Sequence, residues 1–343
     1  MKFEAVTIKD IARALGLSTS TVSRALRDSY EISEDTKKLV REYAQEHNYR
    51  PNPIALSLKE KRSRSIGVIV CEIANSFFSQ IINGIESIAY DKGYNVIISQ
   101  SHESFERELL DLNYLASRSI DGLLISVSTE TSDFEHLKSL HNKGLPIVFF
   151  DRIVHDITTH KVAVDNFKGG YDATTHLIKN GFKSIANISI AQHSSITQDR
   201  LGGYKQALED NNMPVNDSLI KFCKHGGLAY EELENALDEL FSLENKPEAI
   251  FTASDKITTG CLRYFKSHNI RVPEDIALVG FSNSDLADLL QPSLTVVKQP
   301  AFEMGQVATE LLLQLIEAKR PDKQFESKVL PTELIIRDSS VKR

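Results

Sequence analysis

The chain has 343 residues, a hydrophobic fraction of 41% and a formal net charge of −7. That length suits two or three domains, and no apolar run reaches the ~18 residues that a membrane helix needs. The first five residues lack the apolar stretch of a secretory signal, and Cys71, Cys223 and Cys261 lie scattered among apolar neighbours. Free buried thiols are therefore expected, with no disulfide, metal or other cofactor, in a cytoplasmic protein with no membrane partner.

The acidic total hides an uneven distribution. Residues 1–64 hold 13 Lys and Arg against 9 Asp and Glu, a surplus of +4, which leaves −11 on the remainder. A basic head on an acidic body concentrates attraction for phosphates in one place.

Ile8, Ile11, Ala12 and Leu15 recur at i, i+3, i+4 and i+7, one apolar face of a short helix. Thr7 is a good N-cap, Asp10 three residues on forms a weaker capping box, and Gly16 ends the helix. A second helix, capped by Ser18 or Thr19, buries Val22 and Leu26. Thr19, Ser20, Ser23 and Arg24 then stand exposed on its front, and no carboxylate interrupts residues 18–27. Hydroxyls alone are equally explained by capping, but a guanidinium among them suits base edges and phosphates. A third helix, capped near Ser33 and built on Leu39, Val40, Tyr43 and Ala44, closes a small core. Two short helices joined at a glycine fit the major groove of DNA.

Next come Asn52 as a cap and Pro53 at a first helical position, with Ile54-Ala55-Leu56-Ser57-Leu58 before a basic run. A helix this short is marginal alone, so its order requires a partner.

From residue 65 onward, β-rich runs at 66–70, 95–99, 122–127, 147–151, 162–165, 185–190, 219–222, 249–253 and 276–281 alternate with amphipathic stretches such as 77–92, 167–180 and 256–269. This alternation predicts parallel sheets covered on both faces. The strand count exceeds one doubly wound domain and predicts two lobes, with ligand binding between them at the carboxyl ends of the strands. The expected boundaries are a head at 1–50, a linker at 51–64 and a body at 65–343. Within the body, lobe 1 takes about 65–161 and 292–324, and lobe 2 about 162–291 and 325–343.

The pattern Thr7-Ile8-Lys9-Asp10-Ile11-Ala12, then Gly16-Leu17-Ser18, Thr21-Val22-Ser23-Arg24 and Asn48-Tyr49-Arg50-Pro51-Asn52 resembles the DNA-binding head of the lactose/galactose-repressor (LacI/GalR) family. The likeness extends through the body at Phe149-Phe150-Asp151-Arg152, Asp199-Arg200-Leu201-Gly202-Gly203-Tyr204, Val279-Gly280-Phe281 and Gln299-Pro300. It implies an all-α helix–turn–helix head and an α/β body of two doubly wound, parallel-sheet lobes, like periplasmic sugar-binding proteins. It also implies a homodimeric transcriptional regulator that binds a near-palindromic operator in double-stranded DNA. A small ligand, a sugar or sugar derivative, would control that binding.

By the same resemblance, Thr19, Ser20 and Arg24 read bases, while Thr7, Thr21, Ser23, Ser33 and Asn52 hold the DNA backbone. Ile54, Ala55 and Leu58 enter the minor groove, with Leu58 as the wedge. Phe77, Phe78, Asp151, Arg200, Asp255 and Asn283 line the effector cleft. Phe77 and Phe78 equally suit a core or dimer contact, and Asp151 and Asp255 equally suit turn caps. Departures stand out: Arg27 replaces a common Asn and adds a phosphate clamp, and Glu31 brings a carboxylate close to DNA. Ser254, Ser282-Asn283 and Leu228 alter the usual cleft. A solute-binding protein and a Rossmann-type enzyme are the competing readings. The chain has no GxGxxG, GxxxxGK[ST], HExxH, GxSxG or paired CxxC.

Overall fold

The computed structural model describes residues 6–49, 62–318 and 324–342, and its contacts divide the chain after Ser63 into two compact units. The linker residues Asn52, Ile54, Ala55 and Leu58 lie outside the described residues.

The first unit contains α1 (Ile8–Leu15), α2 (Thr19–Leu26) and α3 (Glu34–Glu46). Each begins where a short polar side chain takes over an orphan amide. Thr7 and Asp10 form a reciprocal capping box, Ser18 accepts from the Thr21 N–H, and Ser33 accepts from the Thr36 N–H. Gly16 closes α1 in the left-handed region at φ 64°, and a Cβ there would meet nothing within 4 Å. Conformation rather than space therefore demands glycine. Ile11, Ala12, Val22, Ala25, Val40 and Ala44 bury together, with Leu15 and Leu26 packed on the edge.

The second unit holds two six-stranded sheets. The first carries β1 (Ser65–Val70), β2 (Asn95–Gln100), β3 (Gly122–Ile125), β4 (Ile147–Phe150), β5 (Lys161–Val164) and β11 (Ser327–Leu330) in the order β11-β5-β4-β3-β1-β2. The second carries β6 (Ile185–Ser189), β7 (Ile220–Phe222), β8 (Ala249–Thr252), β9 (Ala277–Phe281), β10 (Thr295–Lys298) and β12 (Glu333–Ile335) in the order β12-β10-β9-β8-β6-β7. All pairings are parallel except β10 with β12. In β1, Ile66, Val68 and Val70 join one core cluster while Ile69 joins the other, as a strand covered on both faces requires.

Eight further described helices cover the sheets: α4 (Ser76–Asp91), α5 (Phe105–Ser117), α6 (Glu135–Asn142), α7 (Asn166–Lys179), α8 (Ser195–Asp210), α9 (Tyr230–Ser242), α10 (Asp255–Ser267) and α11 (Ala301–Glu317). Two pairs pack backbone to backbone on glycine. A Cβ at Gly84 in α4 would lie 2.0 Å from the Phe302 carbonyl oxygen, and one at Gly203 in α8 would lie 2.1 Å from that of Phe167. None of these helices is long and apolar enough to cross a membrane.

The expected lobe boundaries need correcting. β5 pairs with β4 and β11 with β5, so both belong to lobe 1, whereas β10 continues lobe 2 beside β9. The chain therefore crosses between lobes at Asp165, at Gln299–Pro300 and at residues 331–332. The physical reason is that a crossing starts where a strand runs out at its carboxyl end. The loop 151–160 leads back into the same sheet, from β4 to β5.

Candidate functional site

On the head, α2 presents Thr19, Ser20 and Arg24 to solvent, while Thr21 and Ser23 are half-buried. The Ser18 hydroxyl lies 2.7 Å from that of Ser20 and 2.8 Å from that of Thr21, so the first turn carries a linked hydroxyl row. Arg27 turns back along its own helix, its Nε donating to the Ser23 carbonyl at 3.0 Å and its Nη2 to the Ser23 hydroxyl at 2.8 Å. Thr7 and Ser33 are exposed at the caps of α1 and α3. Arg24 forms an ion pair with Glu31 at 2.8 Å.

Two head carboxylates are held by cations or a cap. Asp28 meets Lys37 at 3.1 Å and Arg41 at 2.6 Å, and these two partners hold its carboxyl below the usual range. Asp10 is lowered likewise by the Thr7 hydroxyl and N–H.

In the second unit, a cavity opens between the lobes at the carboxyl ends of both sheets, as the switch-point rule for such sheets requires. Phe77 and Phe78, from the first turn of α4, are buried edge to face at 5.3 Å and form part of the lobe 1 core while also lining the cavity. Asp151, Arg200 and Asp255 line it as well. His102, Glu103 and Asp151 sit at strand ends with φ of 49°, 63° and 62°, a conformation that costs non-glycine residues free energy and concentrates at functional sites.

Arg200 lies in the second turn of α8. Its Nε donates to Asn166 Oδ1 at 2.8 Å, Nη1 to the Ala253 carbonyl at 2.5 Å and Nη2 to Gln299 Oε1 at 3.0 Å, with Phe281 beneath it at 3.8 Å. Burial pushes this guanidinium down to about 10, with Asp151 opposing. Asp151 is buried, which raises its carboxyl, while Arg152 and Arg200 oppose. Asp255 is raised chiefly by burial and accepts a short hydrogen bond from the Ser282 hydroxyl. It caps nothing, because Ser254 is the N-cap of α10.

Asn283 departs from the expectation. It is absent from the cavity lining, and its amide is bound on every side: Nδ2 donates to Gln80 Oε1 and to the Gln299 carbonyl, both at 2.8 Å, while Oδ1 accepts from the Gln299 N–H at 3.1 Å. It joins the lobes rather than facing the space between them.

The largest omission is an ion pair. Arg152 Nη1 and Nη2 donate to Glu103 at 2.6 and 2.8 Å, and Nη1 also reaches the Val127 carbonyl at 2.9 Å and Cys71 Sγ at 3.2 Å. Arg152 stood beside Asp151 in the Phe149–Arg152 landmark, whereas nothing local marked Glu103. Glu72, Lys256, Leu228 and Phe281 also line the cavity. Four carboxylates, three cations and three phenylalanines thus surround one cavity. Among the described residues, no group of three or more His, Cys, Asp or Glu is placed to hold a metal ion.

Comparison with known proteins matches this arrangement. Residues 7–52 match the family described as bacterial regulatory proteins, lacI family, and residues 174–340 match a periplasmic binding protein-like domain. The chain is 32% identical over 334 residues to the HTH-type transcriptional repressor PurR of Vibrio campbellii, covering 97% of this chain and 98% of that one. It is 34% identical over 342 residues to the HTH-type transcriptional regulator RegA of Clostridium saccharobutylicum, covering 98% and 100%. Among solved structures, the lac repressor dimer bound to operator and the anti-inducer ONPF superposes with a TM-score of 0.80 at 25% identity, covering 99% and 100%. A CelR–cellobiose complex superposes with a TM-score of 0.71 at 28% identity, covering 97% and 99%. The chain belongs to the lacI family of bacterial regulatory proteins.

Proposed function

We propose that this chain is a sequence-specific DNA-binding transcriptional repressor whose operator affinity is set by a small ligand held between its two lobes, and that it acts in the cytoplasm without catalysing a reaction. The observation that carries the proposal is the union, in one chain, of an exposed hydroxyl-and-guanidinium face on α2 with a two-lobed cavity built at strand ends. Thr19, Ser20 and Arg24 read base edges. Thr7, Thr21, Ser23, Ser33, Arg27 and Asn52 hold phosphates, and Ile54, Ala55 and Leu58 enter the minor groove, where an apolar wedge offsets unstacking by bending the duplex.

The effector is a carbohydrate or close derivative. Carboxylates and guanidinium groups satisfy vicinal hydroxyls, and the Phe77, Phe78 and Phe281 rings cover apolar sugar faces. Homodimerisation is supported by exposed apolar residues on lobe 1 (Tyr90, Ile98, Leu110 and Tyr114) and on lobe 2 (Leu286 and Leu289). A two-fold protein then meets two half-sites of near-palindromic DNA. Ligand closure couples to operator affinity by its differential affinity for the two lobe arrangements, typically ~1–3 kcal/mol.

Selection from random duplex DNA with the full chain, repeated with Arg24→Ala, tests the DNA reading. Wild type enriches one near-palindrome, and the variant binds it more weakly while its affinity for unselected DNA stays nearly constant. Equal losses on both would reduce Arg24 to a phosphate contact. Thermal unfolding against a panel of neutral sugars and sugar acids tests the cavity, since a ligand that binds only the folded state raises the melting temperature.

A further inference from the structure

We propose that Glu31 is a specificity-determining residue, one that holds Arg24 for recognition of a guanine and itself accepts from the amino group of a cytosine in the same groove. The inference rests on the base-reading role of α2 proposed above and adds a residue to it.

The geometry is local and well anchored. Asp28, with φ 59°, reverses the chain after α2, and the Ser29 N–H then bonds back to the Arg24 carbonyl at 3.0 Å. The Ile32 N–H closes onto the Ser29 carbonyl at 3.2 Å, and Ile32 packs against the head core. Glu31 is therefore placed between a bonded turn and a packed side chain. Its carboxylate meets Arg24 Nη1 at 2.8 Å, with the two side chains 45% and 54% exposed. Arg24 stands one helical turn from Ser20, beside the hydroxyl row. The other acids near this turn are engaged elsewhere, Asp28 with Lys37 and Arg41, and Glu34 with Lys37.

An ion pair this exposed contributes little to folding, so its consequence lies in binding. Close to DNA a carboxylate is repelled by phosphates, and the base edge that accommodates it is the cytosine amino group. One guanidinium edge directed at Glu31 leaves the other edge for the O6 and N7 of guanine. Restraining the long arginine side chain beforehand reduces the ordering that binding would otherwise demand. Together the two side chains read both strands of a G·C step.

The test is selection from random duplex DNA by the full chain in three forms: wild type, Glu31→Gln and Glu31→Asp. Wild type is expected to enrich a near-palindrome with G·C pairs at two symmetry-related positions. Glu31→Gln loses that preference by about tenfold at those positions alone, the scale of one bidentate base contact. It also binds unselected DNA at least as tightly, because a repelling charge is gone. Glu31→Asp, which keeps the charge on a shorter stem, recovers part of the preference. Far-UV circular dichroism verifies that the head stays folded. Identical preferred sites for wild type and Glu31→Gln would overturn the inference and leave Glu31 as surface charge only. A wild type that enriches no sequence would instead overturn the DNA reading beneath it, so the two failures are distinguishable.

Discussion

Glu103 and Arg152 are joined by two parallel hydrogen bonds of 2.6 and 2.8 Å, both side chains being almost fully buried beside the interlobe cavity. The same guanidinium reaches Cys71 and Val127, so a single side chain ties together the carboxyl ends of β1, β2, β3 and β4. Removing one partner of such a pair strands a buried charge, which costs about 3–5 kcal/mol. Glu103→Gln should therefore lower the stability of the body by about that amount in denaturant unfolding. A loss under about 1 kcal/mol would show that the pair is replaceable by neutral hydrogen bonds.

The same pair predicts a pH profile. Burial alone would raise the Glu103 carboxyl, but the charge and hydrogen bonds of Arg152, with the Thr129 N–H, hold it below its usual value. A lowered carboxyl contributes stability that is complete above the ordinary glutamate range and is lost as pH falls through its folded value. Asp151 acts in the opposite sense: its raised carboxyl binds its proton more tightly when folded, so mild acidification stabilises through this group. Melting temperatures between neutral pH and about pH 3 should thus fall less steeply for Glu103→Gln than for wild type, because the Asp151 contribution remains. Parallel curves would assign the acid loss to other carboxylates.

Local and non-local features separate cleanly along this chain. The head was legible because each helix start, and the end of α1, is written within four residues: Thr7 with Asp10, Gly16, Ser18 and Ser33. The strands were legible because doubly covered parallel strands are short β-branched runs such as Ile66–Val70 and Ala249–Thr252. The lobe crossings were not, since the place of β11 depends on its register with β5, Ser327 against Lys161, a pairing that no local pattern encodes. Within the site, Phe77, Phe78, Asp151, Arg200 and Asp255 do line one cavity, but Glu103 lies 49 residues from its partner and carries no marker of its own. Asn283 was placed in the cleft by the family resemblance, yet Gln80 and Gln299 already occupy its amide.

Close packing of α7 on α8 fixes Arg200 from behind. A Cβ at Gly170 would sit 2.3 Å from the Arg200 carbonyl oxygen, which is backbone and can yield only if the helices part. Gly170→Ala should cost at least about 1–3 kcal/mol, the usual penalty for overpacking, and should displace the guanidinium from Asn166, Ala253 and Gln299. Chemical denaturation measures the first effect. Weaker thermal stabilisation by whichever sugar protects the wild type measures the second, and an unchanged ligand response would detach helix spacing from the cavity.

The lobes are also clasped away from the cavity. Gln80 of α4 accepts from Asn283 Nδ2 at 2.8 Å and donates through its own Nε2 to the Asn283 carbonyl at 3.2 Å. Two reciprocal bonds of this kind each contribute about 1 kcal/mol net, so Gln80→Ala should shift the lobe equilibrium by about 1–2 kcal/mol toward open arrangements. Neither residue lines the cavity, so the change acts on closure without touching the ligand's contacts. The expected signature is faster amide exchange near residues 75–80 and 282–284, unchanged exchange in β1 and β8, and several-fold weaker ligand affinity. Operator affinity should move too, in whichever direction the ligand-free wild type moves from its ligand-bound form. Faster exchange spread evenly through both sheets would instead mark general destabilisation, and would remove Gln80 and Asn283 from the closing motion.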